Sequence, residues 1–291
     1  MKDTWGEKLF YAFNYVLLTA AALSCLLPLI YLISISLSDS QAVASGIVSL
    51  WPVGWSLDSY RALFVGTNIK EAFWNSIVLT GVGTALSMLF TIAAAYPLSR
   101  NYFIGARFFT LLIVFTMMFG GGLIPTYLVV KALGLINTYG AVWFTGLVSA
   151  YNMLVMMTFF KHIPAELDEA AQMDGCGEWR YLATIVLPLS VPVIAALSLF
   201  YGVGYWNSFF NVLIYINDTS KYNMAVLIQQ MVQSQSLLAE LNQSSSSDQI
   251  VLTPEAIKAS GIITMVLPML VVYPFVQKHF VKGIMLGAIK G

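Results

Sequence analysis

Charge is what this sequence has least of. Its 291 residues include only 14 Lys plus Arg and 14 Asp plus Glu, 10% of the chain, against roughly 25% in an ordinary soluble domain. With 58% of residues apolar, a soluble globular fold is excluded. The balanced charge offers no basic surface for nucleic acid. Cysteine is equally scarce. Cys25 lies in an apolar run and Cys176 in a distant polar loop, without metal-ligand spacing, so neither a structural disulfide nor a zinc site is expected. The phosphate-binding pattern G-x-x-x-x-G-K-[ST] is missing too: the one dense glycine run, Gly120-Gly121-Gly122, continues into Leu123-Ile124-Pro125. The chain therefore does not hydrolyse ATP by that route. No H-E-x-x-H pair or G-x-S-x-G elbow occurs, and His162 and His279 both fall at helix ends. No catalytic residue and no metal ligand is assigned.

What is present is long apolar sequence. Six charge-free segments, at about 9–37, 73–99, 108–130, 139–160, 189–217 and 259–277, are each long enough to cross a bilayer. They lack the alternation of barrel strands, and a backbone in lipid must satisfy its own hydrogen bonds, so they are read as helices. The expected fold class is an all-α membrane protein of six spans in one domain. Prolines in or beside the spans (Pro28, Pro97, Pro125, Pro188, Pro192, Pro268, Pro274) predict kinks or ends. The first run follows Met1-Lys2-Asp3 and contains Leu23-Ser24-Cys25, faintly like a lipoprotein cleavage site. It continues to about Ile35, past the length of a signal's apolar region, and is read as an uncleaved span.

Lys and Arg distribution sets the orientation. With the N-terminus inside, Lys2, Lys8, Arg100, Arg107, Lys161, Arg180, Lys278, Lys282 and Lys290 are cytoplasmic. Arg61, Lys70, Lys131, Lys221 and Lys258 fall on the other side, spread over longer loops at about 38–72, 131–138 and 218–258. Both termini are thus predicted to be cytoplasmic. Ser244-Ser245-Ser246-Ser247 reads as a flexible loop tip. No span carries Asp, Glu, Lys, Arg or His in its interior, where proton- and sodium-coupled pumps place ion-path groups. Energy for uphill transport must then enter from outside the chain.

The loop at about 161–188 is the most polar stretch near the membrane, with Glu166, Asp168, Glu169, Asp174 and Glu178. Pro164 can open a helix, acidic residues favour its first turn, and Gly175 can supply a left-handed end. A helix, a glycine turn and a second helix are predicted, with Ala170 and Ala171 leaving one face thin enough for another protein to approach. On these residues the sequence resembles the permeases of binding-protein-dependent ABC importers. Their cytoplasmic signature is E-A-A, three residues, G, nine residues, I-x-L-P. Glu169, Ala170, Ala171, Gly175, Ile185, Leu187 and Pro188 fill every position, with Asp174 just before the glycine. The resemblance implies a type I importer fold in a bacterial inner membrane, with this loop as the coupling helix in a groove of an ATPase subunit. The implied partners are a second, homologous permease, two ATPase subunits that bind ATP and Mg, an extracytoplasmic sugar-binding protein and membrane lipid. No cofactor belongs to this chain.

The length, the long loop before the last span and the ending Phe280 to Gly291 resemble carbohydrate permeases related to the maltose importer's second permease. That likeness implies ATPase contact through Lys282, Gly287 and Lys290, and binding-protein contact through about 218–258. Read alone, the tail is a flexible basic end. Gly120-Gly121-Gly122-Leu123-Ile124-Pro125-Thr126-Tyr127 further resembles permeases for complex or acidic oligosaccharides of the alginate and pectin type. Such a cargo needs positive charge from a partner, since the spans offer none.

Sugars are held by aromatic faces and by amides that both donate and accept. Tyr201, Tyr205, Trp206, Asn207 and Asn211 cluster in the fifth span, with Tyr205 one turn from Tyr201 and Asn211 one turn from Asn207. Tyr151 and Asn152 join them from the fourth. Either they line a sugar path or they pack helices through interhelical bonds. Two other functions stay open: an ABC permease for a different solute, and a stand-alone secondary transporter, against which the charge-free spans and the filled signature count.

Overall fold

A computed structural model describes residues 4–242 and 253–288, and among these the chain is helical, with no strand. In chain order the helices are α1 (Trp5–Ser36), α2 (Ser40–Ala44), α3 (Asp58–Gly66), α4 (Ile69–Ser99), α5 (Ala106–Met118), α6 (Leu123–Ala132), α7 (Tyr139–Thr145) and α8 (Ala150–Lys161). There follow α9 (Ala165–Met173), α10 (Glu178–Tyr181), a π-helical turn (Leu182–Val186), α11 (Leu187–Leu189), α12 (Val191–Trp206), α13 (Phe210–Tyr215), α14 (Met224–Asn242) and α15 (Pro254–Ala288).

Three helices, α1, α4 and the Pro254–Pro274 part of α15, are singly long and apolar enough to cross a membrane. The other apolar segments are broken pairs, which bring the candidate spans to six if each pair counts once. The segment expected at 108–130 is α5 and α6, bent by 116° where Phe119 and the three glycines interrupt the helix. Gly122, at φ 81°, adopts a conformation that only glycine enters freely. The segment at 139–160 is α7 and α8, bent by 53°. The third pair is Glu178–Leu189 and Val191–Trp206, bent by 80°. It starts before the segment expected at 189–217, within which α12 and α13 are parted at Asn207-Ser208-Phe209. A carbonyl freed at a break within lipid must be met by protein or water; here the residues of the α5–α6 break, Phe119 to Gly122, are exposed.

The contacts divide the chain into two units. Met1–Ile69 with Ile228–Leu267 holds α1, α2, α3 and the first turns of α15. Here Thr4 and Glu7 form a reciprocal capping box. Nearly the whole of α1 is exposed until Ser34, Ile35 and Ser36. Its end is tied down by hydroxyls: Ser34 donates to the Leu50 carbonyl (2.8 Å), Tyr60 to Ser36 (3.0 Å), and Thr253 to the Ser40 carbonyl (2.6 Å). Beneath lies a small core of Ile35, Ala42, Val48, Ala256 and Ala259.

The second unit, Lys70–Leu227 with Pro268–Gly291, contains the main core. Its axis is α4, which buries Ala72, Ser76, Leu79, Gly83, Ser87, Thr91 and Ala95. These recur every three or four residues, which is one face of a helix, and most are small. Small side chains let backbones approach closely. A Cβ on Gly83 would meet the Tyr205 ring at 2.9 Å and Trp143 at 3.0 Å. Opposite, α12 buries Val193, Leu197, Tyr201 and Tyr205, again a turn apart.

Candidate functional site

The polar hairpin forms as a helix, a glycine turn and a short second helix. Pro164 precedes the first residue of α9, and Glu166 and Asp168 occupy its first turn, where a helix N-terminus favours negative charge. Asp174 caps the end and Gly175 takes φ 69°. The Gly175 amide donates to the Gln172 carbonyl (3.0 Å) and the Cys176 amide to the Ala171 carbonyl (2.9 Å), closing the helix end. The π-helical turn and Pro188 then lead to Ser190, where Glu178–Leu189 meets Val191–Trp206 at a bend of 80°.

The hairpin has two faces. Glu169, Ala170, Asp174 and Gly175 are exposed, while Ala171 is buried and Ile185 and Leu187 pack against the main core. Two large apolar residues absent from the sequence-based set share the exposure, Met173 at 89% and Trp179 at 84%. Both stand among exposed charged residues, Glu169, Asp174, Glu178 and Arg180. That contrast is present in the sequence but hidden by the signature's own spacing.

On the hairpin's inner side lies an ionic cluster. Arg100, just past α4, lies 3.6 Å from Asp168 and donates through Nη2 to the Tyr96 hydroxyl (2.8 Å). That hydroxyl in turn donates to Glu178 Oε2 (2.5 Å). The guanidinium stacks on Tyr96 (4.4 Å to the ring centre) and Tyr181 (4.8 Å). Partial burial, then the Glu178 carboxylate, pushes the Tyr102 hydroxyl up to about 12. The bond from Tyr96 holds the Glu178 carboxyl below its ordinary range. The sequence marks Arg100 only as an orientation charge. Its carboxylate partners stand 68 and 78 positions away, beyond any local pattern.

The aromatic and amide residues singled out from the sequence do not all converge. Tyr151, Asn152, Tyr201, Tyr205 and Asn211 line one cleft of about 410 Å³, with Ser149 and Ser208 among its polar walls. Tyr151 is 56% exposed, whereas Tyr201 and Tyr205 are buried. The Tyr201 hydroxyl shares a hydrogen bond with Thr91 (2.7 Å) and accepts one from the Ser149 amide (2.9 Å). The Tyr205 hydroxyl bonds Ser87 (2.8 Å) and donates to the Trp143 carbonyl (3.3 Å). Both tyrosines thus line the cleft while their hydroxyls hold helices together. Trp206 lies elsewhere, edge-on to Phe73 (6.0 Å) in an apolar cavity of about 720 Å³. Asn207 caps α12 and donates to the Val203 carbonyl (3.0 Å), and the helix break after it removes the one-turn relation expected with Asn211.

Beyond α13 the chain is pinned by polar bonds. Asn137 accepts from the Asn217 and Asp218 amides, Lys221 donates to the Asn137 carbonyl, and Asn75 donates to the Ser220 and Tyr222 carbonyls. Of the tail residues, Lys282 and Gly287 fall within the helical backbone of α15, and Lys290 lies outside the described residues. So does 243–252, with the serine run, in the loop expected to meet a binding protein. No group of three His, Cys, Asp or Glu that could hold a metal occurs among the described residues.

Residues 102–286 match the family described as binding-protein-dependent transport system inner membrane component. The chain is 41% identical to a polygalacturonan/rhamnogalacturonan transport system permease protein, YtcP, of Bacillus subtilis (strain 168), over 100% of both chains. It is 38% identical to the protein LplC of the same organism, over 100% of this chain and 98% of that one. Among solved structures it resembles a chain of a bacterial ABC transporter involved in the import of the acidic polysaccharide alginate. There the TM-score is 0.86 at 29% identity, covering 96% of this chain and 99% of the other.

Proposed function

The chain belongs to the binding-protein-dependent transport system inner membrane components, and from that premise we propose that it imports acidic oligosaccharides as one permease half of an ATP-driven transporter. It is a membrane permease and not an enzyme. In this reading two separate ATPase subunits bind ATP and Mg and dock on the exposed face of the hairpin, Glu169 to Gly175, with Met173 and Trp179 as apolar anchors. A second permease completes the path, and an extracytoplasmic binding protein delivers the sugar to the side carrying 218–258. Both termini are cytoplasmic, and the tail from Lys282 through Gly287 to Lys290 reaches the ATPases.

The observation that carries this reading is the filled signature on an outward-facing hairpin in a chain without intramembrane charge. The cargo class rests on the pectin-type relative and the alginate-type structure. Alternating access follows if ATP closes the ATPases and thereby favours one permease state, since binding energy shifts only an equilibrium it treats unequally.

Within the chain, Tyr151, Asn152 and Asn211 are the groups we assign to sugar contact in the cleft, with the rings of Tyr201 and Tyr205 as its wall. Trp206 and Asn207 are assigned to helix packing and capping. The cleft is neutral, so the positive charge that an acidic cargo requires comes from the partner permease or the binding protein. The test is copurification of a tagged chain with its partners. ATP hydrolysis should then rise when the binding protein carries galacturonate or alginate oligomers and stay basal with neutral maltodextrin. Equal stimulation by maltodextrin would remove the acidic cargo, and absence of any ATPase from the purified material would remove the importer.

A further inference from the structure

The signature explains how an ATPase reaches the hairpin. It leaves open how the hairpin reaches the cleft, and the cluster around Arg100 bears on that. Building on the importer reading above, we propose that Arg100 and Tyr96 make α4 a second output of the coupling hairpin. Hairpin motion is then delivered to the cleft through α4 as well as through α12.

The hairpin continues into α12 by the chain itself, through Pro188 and Ser190. Nothing covalent joins it to α4. The link is made by side chains on its inner face. Asp168 reaches Arg100 from α9, and Glu178 accepts from Tyr96 at the start of α10. These acids flank the exposed signature: Asp168 directly precedes Glu169, and Glu178 follows Gly175 by three residues. One face of the hairpin is therefore free for a partner while the other grips α4.

The grip is of a kind that resists slipping. The Arg100 side chain is only 13% exposed and that of Asp168 24%. A guanidinium so far from water is costly unless its charge is matched, so parting it from Asp168 and Tyr96 is strongly opposed. Tyr96 accepts from Arg100 and donates to Glu178 through one hydroxyl, which ties cation, phenol and carboxylate in a row.

From Tyr96 the same helix runs to Thr91 and Ser87, whose hydroxyls bond Tyr201 and Tyr205 in the wall of the cleft. The nine residues from Tyr96 to Ser87 span about 14 Å of continuous helix. Gly83 extends the contact, since its missing side chain lets α4 lie directly against the Tyr205 ring. Ionic grip, helix and hydroxyl pair form one contiguous path from hairpin to cleft.

The experiment uses the whole complex in proteoliposomes and reads sugar imported per ATP hydrolysed at saturating loaded binding protein. Tyr96→Phe, Arg100→Gln and Glu178→Gln should each lower that ratio by between about twofold and thirtyfold. The concentration of loaded binding protein giving half-maximal hydrolysis should not move. The double variant Tyr96→Phe/Arg100→Gln should be no worse than the poorer single one, because both break the same path. Arg107→Gln, an exposed cation nearby, should keep the wild-type ratio. If Arg100→Gln fails to assemble, Tyr96→Phe decides, as it removes one oxygen and no bulk. Variants that keep their ATPases and the wild-type ratio would overturn the α4 path alone. A wild-type chain that never copurifies an ATPase would overturn the importer reading with it.

Discussion

The C-terminal end of α4 and its middle solve one problem, joining helices by polar bonds, in opposite ways. At Arg100 the join is ionic: a cation, two carboxylates and two stacked rings, in the part of the chain that carries the polar hairpin. At Ser87 and Thr91 it is neutral, built of hydroxyls within apolar spans. The difference follows from the solvent each join meets. A charge at a bilayer centre costs several kcal/mol, whereas a hydroxyl finds a partner with little penalty. The ionic join should therefore answer to changes of charge, and the neutral join to changes of shape.

The largest effect is expected at the hairpin turn. Gly175 sits at φ 69°, and a Cβ added there would meet nothing within 4 Å, so a substitution acts through backbone conformation alone. Gly175→Val should cost on the order of 1–2 kcal/mol at the turn, releasing the ATPases on purification and cutting uptake at least tenfold. Gly175→Asn should be much milder, because Asn tolerates the left-handed region. Equal loss in both would shift the cause from conformation to contact.

Next comes overpacking at the neutral join. Gly83→Leu places a side chain where its Cβ alone would meet the Tyr205 ring at 2.9 Å. Clashes of this kind cost about 1–3 kcal/mol. The detergent-solubilised complex should melt at lower temperature and uptake should fall, while Gly81→Leu, whose Cβ meets nothing within 4 Å, should do neither. Removing a hydroxyl there should matter less. Thr91→Val should cost about 0.6 kcal/mol, typical of a bond between membrane helices. Tyr201→Phe should cost more because it also leaves the Ser149 amide without its acceptor, and the pair no more than Tyr201→Phe alone. A cost of Thr91→Val well above that in unfolding measurements would mean the neutral join holds its helices as firmly as the ionic one.

The smallest effect is that of pH on Glu178. Its bond from Tyr96 lowers the carboxyl below the ordinary 4.5, so the folded state favours the ionised form. The contribution is complete above 4.5 and is lost only as pH falls through the lower folded value. Import should thus show no dependence on this group between about pH 6 and 8. Tyr96→Phe should move the Glu178 titration upward, as read by carbon NMR of labelled glutamate side chains. An unchanged midpoint would detach Glu178 from the grip.

Much of the fold was legible because it depends on composition and short spacing. Apolar run length marked the candidate spans, and the fixed intervals from Glu169 to Pro188 marked the hairpin. Pro164 and Gly175 foretold its start and turn. Less could be read of the helix breaks. An apolar run looks alike whether straight or bent, and only the glycines at 120–122 hinted at the 116° bend. The cleft was half legible: a one-turn spacing placed Tyr201 and Tyr205 on one face, but the break after Asn207 turned Asn211 from its expected register and Trp206 lined a different cavity.

The sequence by itself determined that this chain is a charge-poor helical membrane protein with one polar hairpin, because hydrophobicity and backbone hydrogen bonding in lipid leave few alternatives. It also determined the family, through residues close enough along the chain to be read as a motif. Only the tertiary structure decided which polar groups meet. Arg100 with Asp168 and Glu178, and Thr91 with Tyr201, are separated by tens of residues and become neighbours only when the helices pack. In apolar surroundings each such group must find a partner, so packing turned scattered hydroxyls and one ordinary-looking arginine into the joints of the molecule.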